Sequence, residues 1–167
     1  MPTELFPIPG EWPGRLSVSP RPRGDDWLSD EIRAWRAAGI DVVVSLLTSE
    51  EAADLGLERE RQTCEENGIR FEAFPIVDRS VPASDPAAVR LIDEVNAELR
   101  RGRNVNIHCR QGIGRSSLIA ASLFIDQGLP PSKALQRITE ARRVPVPETL
   151  EQRAWIDHFA ASLQRRS

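Results

Sequence analysis

A cysteine and an arginine with five residues between them stand in a stretch of chain that has the residue types for phosphate chemistry. The stretch reads His108-Cys109-Arg110-Gln111-Gly112-Ile113-Gly114-Arg115-Ser116. It lies between an apolar strand pattern and an apolar helix pattern, so a short loop containing glycine is expected to open a helix. Backbone N–H groups at a helix N-terminus bind anions and favour a thiolate. The spacing therefore predicts a nucleophilic Cys109 within a phosphate-binding loop.

Each residue of this loop has an expected task. Cys109 attacks phosphorus and forms a phosphocysteine, which splits hydrolysis into two steps. Arg115 binds two phosphate oxygens with its planar fork of donors. The loop N–H groups that hold the other oxygens are those of Arg110, Gln111, Gly112, Ile113, Gly114 and Arg115. Because loop and guanidinium supply the positive potential, no metal and no cofactor are expected. The alternative is a buried structural cysteine before a tight turn.

The same stretch resembles the signature of cysteine-dependent protein phosphatases, and is most similar to their compact dual-specificity type. The resemblance extends from about residue 40 to residue 152. It implies that the Ser116 hydroxyl hydrogen-bonds the cysteine sulfur and helps it to leave in the second step, whereas a helix cap is the alternative. It also implies that His108 orders the loop. Direct base catalysis by His108 is not expected, because adjacent strand residues point to opposite faces, and a histidine that merely fills the core is the alternative.

A second segment is expected to supply the proton that the leaving group needs. Residues 74–82 follow a strand pattern and contain one aspartate, Asp78. They resemble the general-acid loop of the same family, which assigns that role to Asp78, and an ordinary turn aspartate is the alternative. Asp85 is the competing candidate, but Pro86 after it favours a helix cap at Asp85.

Three further residues have weaker assignments. Gln152 follows a proline-rich turn, and in some relatives of this type a glutamine there positions the water that hydrolyses phosphocysteine. Equally, Thr149 caps a helix and Gln152 completes a capping box. Arg79 either contacts a substrate phosphate or is solvated. Cys64 lies in a charged helix and is expected to have no role, with a resolving thiol as the alternative.

The elements that must position these residues alternate along the chain, which predicts an α/β fold with a central, mostly parallel sheet flanked by helices. The predicted strands are residues 41–47, 69–74 and 104–108, with a short edge strand at 15–19 inside a Pro/Gly-rich segment, 1–24. The predicted helices are residues 27–38, 49–67 with a break near Gly56, 85–101, the helix that follows the loop, 131–143 and 149–163. The loop then lies at the carboxyl end of a strand, where such folds bind ligands.

Chain length, net charge and cysteine content limit the number of domains, the partners and the compartment that are expected. A chain of 167 residues predicts one domain, 1–167. The net charge of −3 offers no basic field, so no nucleic-acid partner is expected. Two cysteines are too few to form a disulfide framework. A thiolate nucleophile needs a reducing compartment, which favours the cytoplasm. No membrane span and no signal peptide are expected from the hydropathy pattern.

The expected substrate is a phosphorylated protein. The chain has no tyrosine, and no aromatic loop suggests a deep pocket selective for phosphotyrosine, so an open site that also accepts phosphoserine or phosphothreonine is expected. Phosphoinositide phosphatases of this superfamily often carry lysine in the loop, and this loop has none. A phosphorylated lipid or small molecule is therefore the second choice. A non-catalytic phosphate-binding adaptor and a rhodanese-like sulfurtransferase are the further alternatives, and the Arg115-Ser116 ending disfavours the latter.

Overall fold

The structure, a computed structural model, describes residues 2–166, and Met1 and Ser167 of the predicted domain lie outside it. The described strands are β1 (Phe6–Ile8), β2 (Leu16–Ser19), β3 (Val42–Ser45), β4 (Arg70–Ala73) and β5 (Val105–His108). They form one sheet in the order β1-β2-β5-β3-β4. β1 pairs antiparallel with β2, and the other neighbours are parallel. The predicted α/β class with a mostly parallel sheet is confirmed.

The helices flank this sheet. Those described are α1 (Leu28–Ala37), α2 (Ser49–Asp54), α3 (Glu60–Glu66), α4 (Asp85–Arg100), α5 (Gly114–Asp126), α6 (Pro131–Arg142) and α7 (Leu150–Arg166). The predicted break near Gly56 separates α2 from α3. Trp27, expected to open the first helix, ends a short 3-10 turn before α1. Within residues 2–166, no helix combines the length and the apolarity needed to cross a membrane.

The expected edge position of residues 15–19 is wrong. β2 lies inside the sheet, because β1 pairs with its outer side in the register Phe6↔Val18, and all four β2 residues are buried. The outer strand was missed because it is only three residues long and contains Pro7. An edge strand tolerates proline, whose missing N–H faces away from the ladder.

Two apolar clusters cover the two faces of the sheet. Val42 and Val44 of β3 belong to a cluster that is closed by α4, α5, α6 and α7, whereas Val43 between them belongs to a second cluster with α1 and α3. Because successive strand residues face opposite sides, β3 is apolar throughout, as expected for a strand buried on both faces. The same alternation divides β5, whose Val105 and Ile107 join the first cluster.

Candidate active site

The loop between β5 and α5 curls over the sulfur of Cys109. Cys109 is 3% exposed, and the backbone N–H of Gly112 donates to its Sγ at 3.3 Å. Gly112 has φ +71°, and a Cβ added there would lie 2.5 Å from the carbonyl carbon and oxygen of Ser19. Only glycine combines this backbone conformation with so close an approach to the end of β2.

Arg142, at the end of α6, holds the loop from its outer side. Its Nε donates to the carbonyl oxygen of Gly112 at 2.8 Å, and its Nη2 donates to that of Gln111 at 3.1 Å. The guanidinium also lies over the Phe6 ring, 3.8 Å from the centroid. Burial lowers the pKa of Arg142, against the opposing effect of the charge on Cys109. Sequence reasoning missed this contact, because nothing local marks an arginine at a helix end as a partner of a distant loop.

Arg115 is enclosed by partners from several segments and is 1% exposed. Nη1 donates to Glu51 Oε1 at 2.7 Å and to the Ile76 carbonyl at 2.8 Å, with a longer contact to the Leu46 carbonyl at 3.4 Å. Nη2 donates to Glu51 Oε2 at 3.0 Å and lies 3.1 Å from Asp78 Oδ1. Burial alone lowers the pKa of Arg115, but the bonds to Glu51 and the neighbouring negative charges raise it above its ordinary value.

Glu51 is a site residue that the sequence did not reveal. It completes a capping box with Thr48, whose Oγ1 accepts from the Glu51 N–H at 3.2 Å. The same carboxylate binds Arg115 in a bidentate pair, a strong geometry for carboxylate and guanidinium. Burial alone raises the pKa of Glu51, but the bonds from Arg115 and from the Thr48 N–H bring it below its ordinary value of 4.5. The local signal at Glu51 was a helix start, and its partner lies 64 residues away.

The two aspartate candidates lie in different places. Asp78 reaches Arg115 and is 47% exposed, so the acid candidate and the phosphate-binding candidate are brought together. Asp85 accepts a hydrogen bond from Trp155 Nε1 at 3.0 Å. The expected cap at Asp85 is wrong: the cap is Ser84, whose Oγ accepts from the Ala87 N–H at 3.3 Å. Asp85 is already the first residue of α4, with Pro86 second.

His108 faces the opposite side of the sheet from the Cys109 sulfur. It is fully buried, and its Nε2 lies 2.6 Å from Glu60 Oε2. Its ring centroid is 5.9 Å from that of Trp35, a residue of the second cluster, whereas Cys109 belongs to the first. Its Nδ1 lies 3.3 Å from the Cys109 carbonyl oxygen. The ordering role of His108 stays a prediction, and Glu60 is a partner that sequence reasoning missed.

Ser116 has a buried hydroxyl that meets no hydrogen-bond partner among the described residues. It is the third residue of α5, and the residue in the cap position is Ile113. The helix-cap alternative for Ser116 is therefore wrong, and the expected hydrogen bond from its hydroxyl to the Cys109 sulfur is not formed in this structure either. An unsatisfied buried hydroxyl is uncommon and calls for an explanation.

Gln152 forms the capping box that its spacing predicted. Its N–H donates to Thr149 Oγ1 at 3.1 Å, and its Oε1 accepts from the Thr149 N–H at 3.2 Å. Its side chain is fully buried and also reaches Ser80, whose carbonyl accepts from Gln152 Nε2 at 3.1 Å.

Arg79 and Cys64 have partners of their own. Arg79 is exposed and pairs with Glu148 at 3.2 Å, so it is not simply solvated. Cys64 is completely buried in the second cluster, away from the cluster of Cys109. Burial raises the pKa of the Cys64 thiol. A cysteine in such surroundings is chemically inert.

Comparisons with known proteins agree with this geometry. Residues 19–129 match a family model described as "Polymorphic toxin system, DSP-PTPase phosphatase". Cyclin-dependent kinase inhibitor 3 of Rattus norvegicus is 25% identical over 130 residues, which are 77% of this chain and 61% of that protein. The chain thus spans about three fifths of the length of this curated relative.

Two solved structures share the fold. A kinase associated phosphatase with a serine in place of its catalytic site cysteine has a TM-score of 0.88 at 19% identity, covering 98% of this chain and 97% of that one. Tk-PTP in the active form has a TM-score of 0.71 at 26% identity, covering 92% and 94%. Because the family match takes in well over half of the 167 residues, the chain belongs to the DSP-PTPase phosphatases, a dual-specificity-like group of the cysteine-dependent phosphatases.

Proposed function

We propose that this protein hydrolyses phosphate monoesters in phosphorylated proteins, phosphotyrosine first, through a phosphocysteine on Cys109. One observation carries the proposal: the Cys109 sulfur accepts the Gly112 N–H at 3.3 Å in the loop that opens α5, and Arg115, six residues further on, is buried with its guanidinium held in a fixed orientation. A nucleophile held between helix N-terminal amides and a fixed cation is the arrangement that phosphoryl transfer requires.

The reaction has two steps. In the first, Cys109 Sγ forms a bond to phosphorus, the bond from phosphorus to the ester oxygen breaks, and Asp78 gives its proton to that oxygen. The loop N–H groups hold the remaining oxygens together with Arg115, whose Nη2 exchanges its contact with Asp78 for a phosphate oxygen when the substrate binds. In the second step, water attacks phosphorus and gives a proton to the Asp78 carboxylate, the bond from sulfur to phosphorus breaks, the sulfur leaves as a thiolate and inorganic phosphate is released. The unpartnered Ser116 hydroxyl is available to hydrogen-bond the departing sulfur.

The mouth of the site favours a protein substrate over a buried small molecule. Val77 is 67% exposed, and Asp78 beside it is half exposed, so this part of the acid loop, residues 74–82, faces solvent. An open mouth suits phosphotyrosine and also the shorter phosphoserine and phosphothreonine. Both cysteines are free thiols, and a reducing compartment, the cytoplasm, would keep Cys109 reactive.

Turnover of p-nitrophenyl phosphate by the wild type and by Cys109→Ser tests the proposal. We expect the serine variant to lose turnover to the background rate, because a serine hydroxyl at this position is a far weaker nucleophile than a thiolate. Cys64→Ser is the matched control, and it should keep kcat within about threefold since Cys64 lies in the other cluster.

Other outcomes would overturn the proposal. Wild-type turnover in Cys109→Ser would exclude Cys109 as the nucleophile. An inactive wild type that binds phosphopeptides would favour the adaptor. A panel of phosphotyrosine peptide, phosphothreonine peptide and phosphoinositide micelles then ranks the substrates, and faster turnover of the lipid would replace the phosphoprotein.

A further inference from the structure

The amide group of Gln152 is almost fully occupied by the protein itself. Its Oε1 accepts from the N–H groups of Glu148 and Thr149 at 3.1 and 3.2 Å. Its Nε2 donates to the Ser80 carbonyl at 3.1 Å. A glutamine amide offers two acceptor positions and two donor hydrogens, so three of the four are taken by backbone groups. Orienting a water molecule would have to be done by the one remaining N–H.

Two further contacts join the same segments. Arg79 Nη1 pairs with Glu148 Oε2 at 3.2 Å, and Ser80 Oγ donates to Glu151 Oε1 at 3.4 Å. All three links cross about 70 residues of chain. Since exposed ion pairs contribute little, the part-buried bond from Gln152 to Ser80 is the strongest of them.

The side chains of Glu148 and Gln152 also contact the start of α5, which closes the phosphate-binding loop. A Cβ added to Gly114, the first residue of α5, would lie 2.5 Å from Glu148 Oε1 and 3.0 Å from Gln152 Nε2. These side chains therefore pack directly on the backbone at the start of α5. Residues 148–152, which we call the strut, contact both the start of α5 and the acid loop, residues 74–82.

We propose that the strut sets the distance between the general acid and the nucleophile, with Gln152 as a positioning residue for Asp78. Asp78 lies two residues before Ser80, so the bond from Gln152 to the Ser80 carbonyl fixes the backbone that carries the acid. This inference rests on the proposed function and deepens it. It gives Gln152 its effect in the first step, phosphocysteine formation, and none in the orientation of water.

Gln152→Glu tests the strut with the least change in shape. The variant keeps the Oε1 acceptor but places an oxygen against the Ser80 carbonyl. We expect kcat/KM for phenyl phosphate to fall about 10–100-fold, a part of the 10²–10⁴-fold that a positioned acid contributes. For p-nitrophenyl phosphate, whose leaving group needs little protonation, the loss should be about threefold or less. Thr149→Ala, the matched control, removes the helix cap and leaves the amide contacts, so it should change both substrates equally.

A double variant tests whether the loss of kcat/KM caused by Gln152→Glu depends on Asp78. Added to Asp78→Asn, Gln152→Glu should cost nothing further with phenyl phosphate, because the group that it positions is already gone. Full additivity would overturn the proposal. Arg79→Ala, at an exposed residue, breaks a second link of the strut and should give a smaller loss with the same dependence on leaving group, even if Gln152→Glu fails to fold.

The remaining outcomes separate the strut from the function on which it rests. Equal losses for both esters, or equal effects of Thr149→Ala and Gln152→Glu, would reject the strut alone. If Gln152→Glu left kcat/KM unchanged but released p-nitrophenol in a burst, Gln152 would be assigned to water orientation. This result would also reject the strut, because kcat/KM reports only the steps up to phosphocysteine formation. An inactive wild type, or an active Cys109→Ser, would reject the proposed function and the strut with it.

Discussion

Arg115 shows how one side chain is fixed by several parts of the chain. Its guanidinium is buried, yet its two terminal nitrogens meet a carboxylate and backbone carbonyls, with Asp78 at the exposed side. A buried charge is tolerated only when it is paired and hydrogen-bonded. The bidentate bond to Glu51 needs the planar fork of arginine, which lysine lacks. The orientation of the Arg115 guanidinium, the proposed phosphate-binding cation, is therefore set by the protein itself.

Asp78→Asn should affect poor leaving groups most. We expect kcat/KM for phenyl phosphate to drop about 10²–10⁴-fold, because an amide cannot give a proton to the phenolate oxygen. The loss for p-nitrophenyl phosphate should be far smaller. Asp85→Asn is the control, since Asp85 binds Trp155 instead of Arg115. Similar losses for the two esters would remove Asp78 from the acid role.

Among the secondary-structure elements, α2 connects its own N-terminal cap to the candidate active site through one residue, Glu51. This helix has six residues, too few for much stability of its own. Its capping box stabilises the first turn, and the same Glu51 carboxylate reaches Arg115 on α5. One carboxylate thus stabilises a short helix and the buried Arg115 cation together.

Glu51 should make the free energy of unfolding depend on pH in the acid range. Its pKa is lower in the folded chain than the ordinary value of 4.5, so the unfolded chain binds more protons in this range. The contribution is complete above about pH 4.5 and is lost as the pH falls through the folded value. Glu51→Gln should lower the free energy of unfolding near neutral pH and flatten its decline in acid, measured by urea unfolding at a series of pH values.

The control for this prediction is Thr48→Ala. It removes the cap at a cost of about 0.5–2 kcal/mol but keeps the carboxylate and the steep decline in acid. Asp41, whose pKa is also lowered, should leave some slope in both variants. An unchanged slope in Glu51→Gln would contradict the assignment.

Most of the elements followed from local patterns, whereas the supports of the site did not. The strands and the loop are marked by apolar runs and by glycines that neighbours in sequence reveal. Glu51, Glu60 and Arg142 act on residues 30 to 64 positions away. Their local surroundings predict only ordinary helix residues, because a tertiary contact leaves no trace in a single sequence.

In the whole molecule, the sheet separates two apolar clusters and carries Cys109, the proposed nucleophile, at their border. Along β5, Val105 and Ile107 face the larger cluster, and His108 faces Trp35 and Glu60 on the other side. The loop begins at the end of β5, at the boundary between the two clusters. Its geometry therefore depends on packing from both faces of the sheet.

Leu99→Ala and Leu150→Ala compare the same change in the core and on the surface. Leu99 in α4 is fully buried, and Leu150 is 90% exposed. Leu99→Ala should lower the free energy of unfolding by about 2–5 kcal/mol, since it leaves a cavity. Leu150→Ala should change it by about 0.5 kcal/mol or less. Urea unfolding measures both, and similar values would contradict the assignment of Leu99 to the core.

Gly112 carries no reacting group, yet its position is among the least replaceable in the molecule. The carbonyl of Ser19 occupies the space that any larger residue would need, and Ser19 is paired across the sheet with His108, immediately before Cys109. A methyl group at Gly112 would have to drive β2 and β5 apart. The mutational tolerance of this loop is thus limited by a neighbouring strand that takes no part in the reaction.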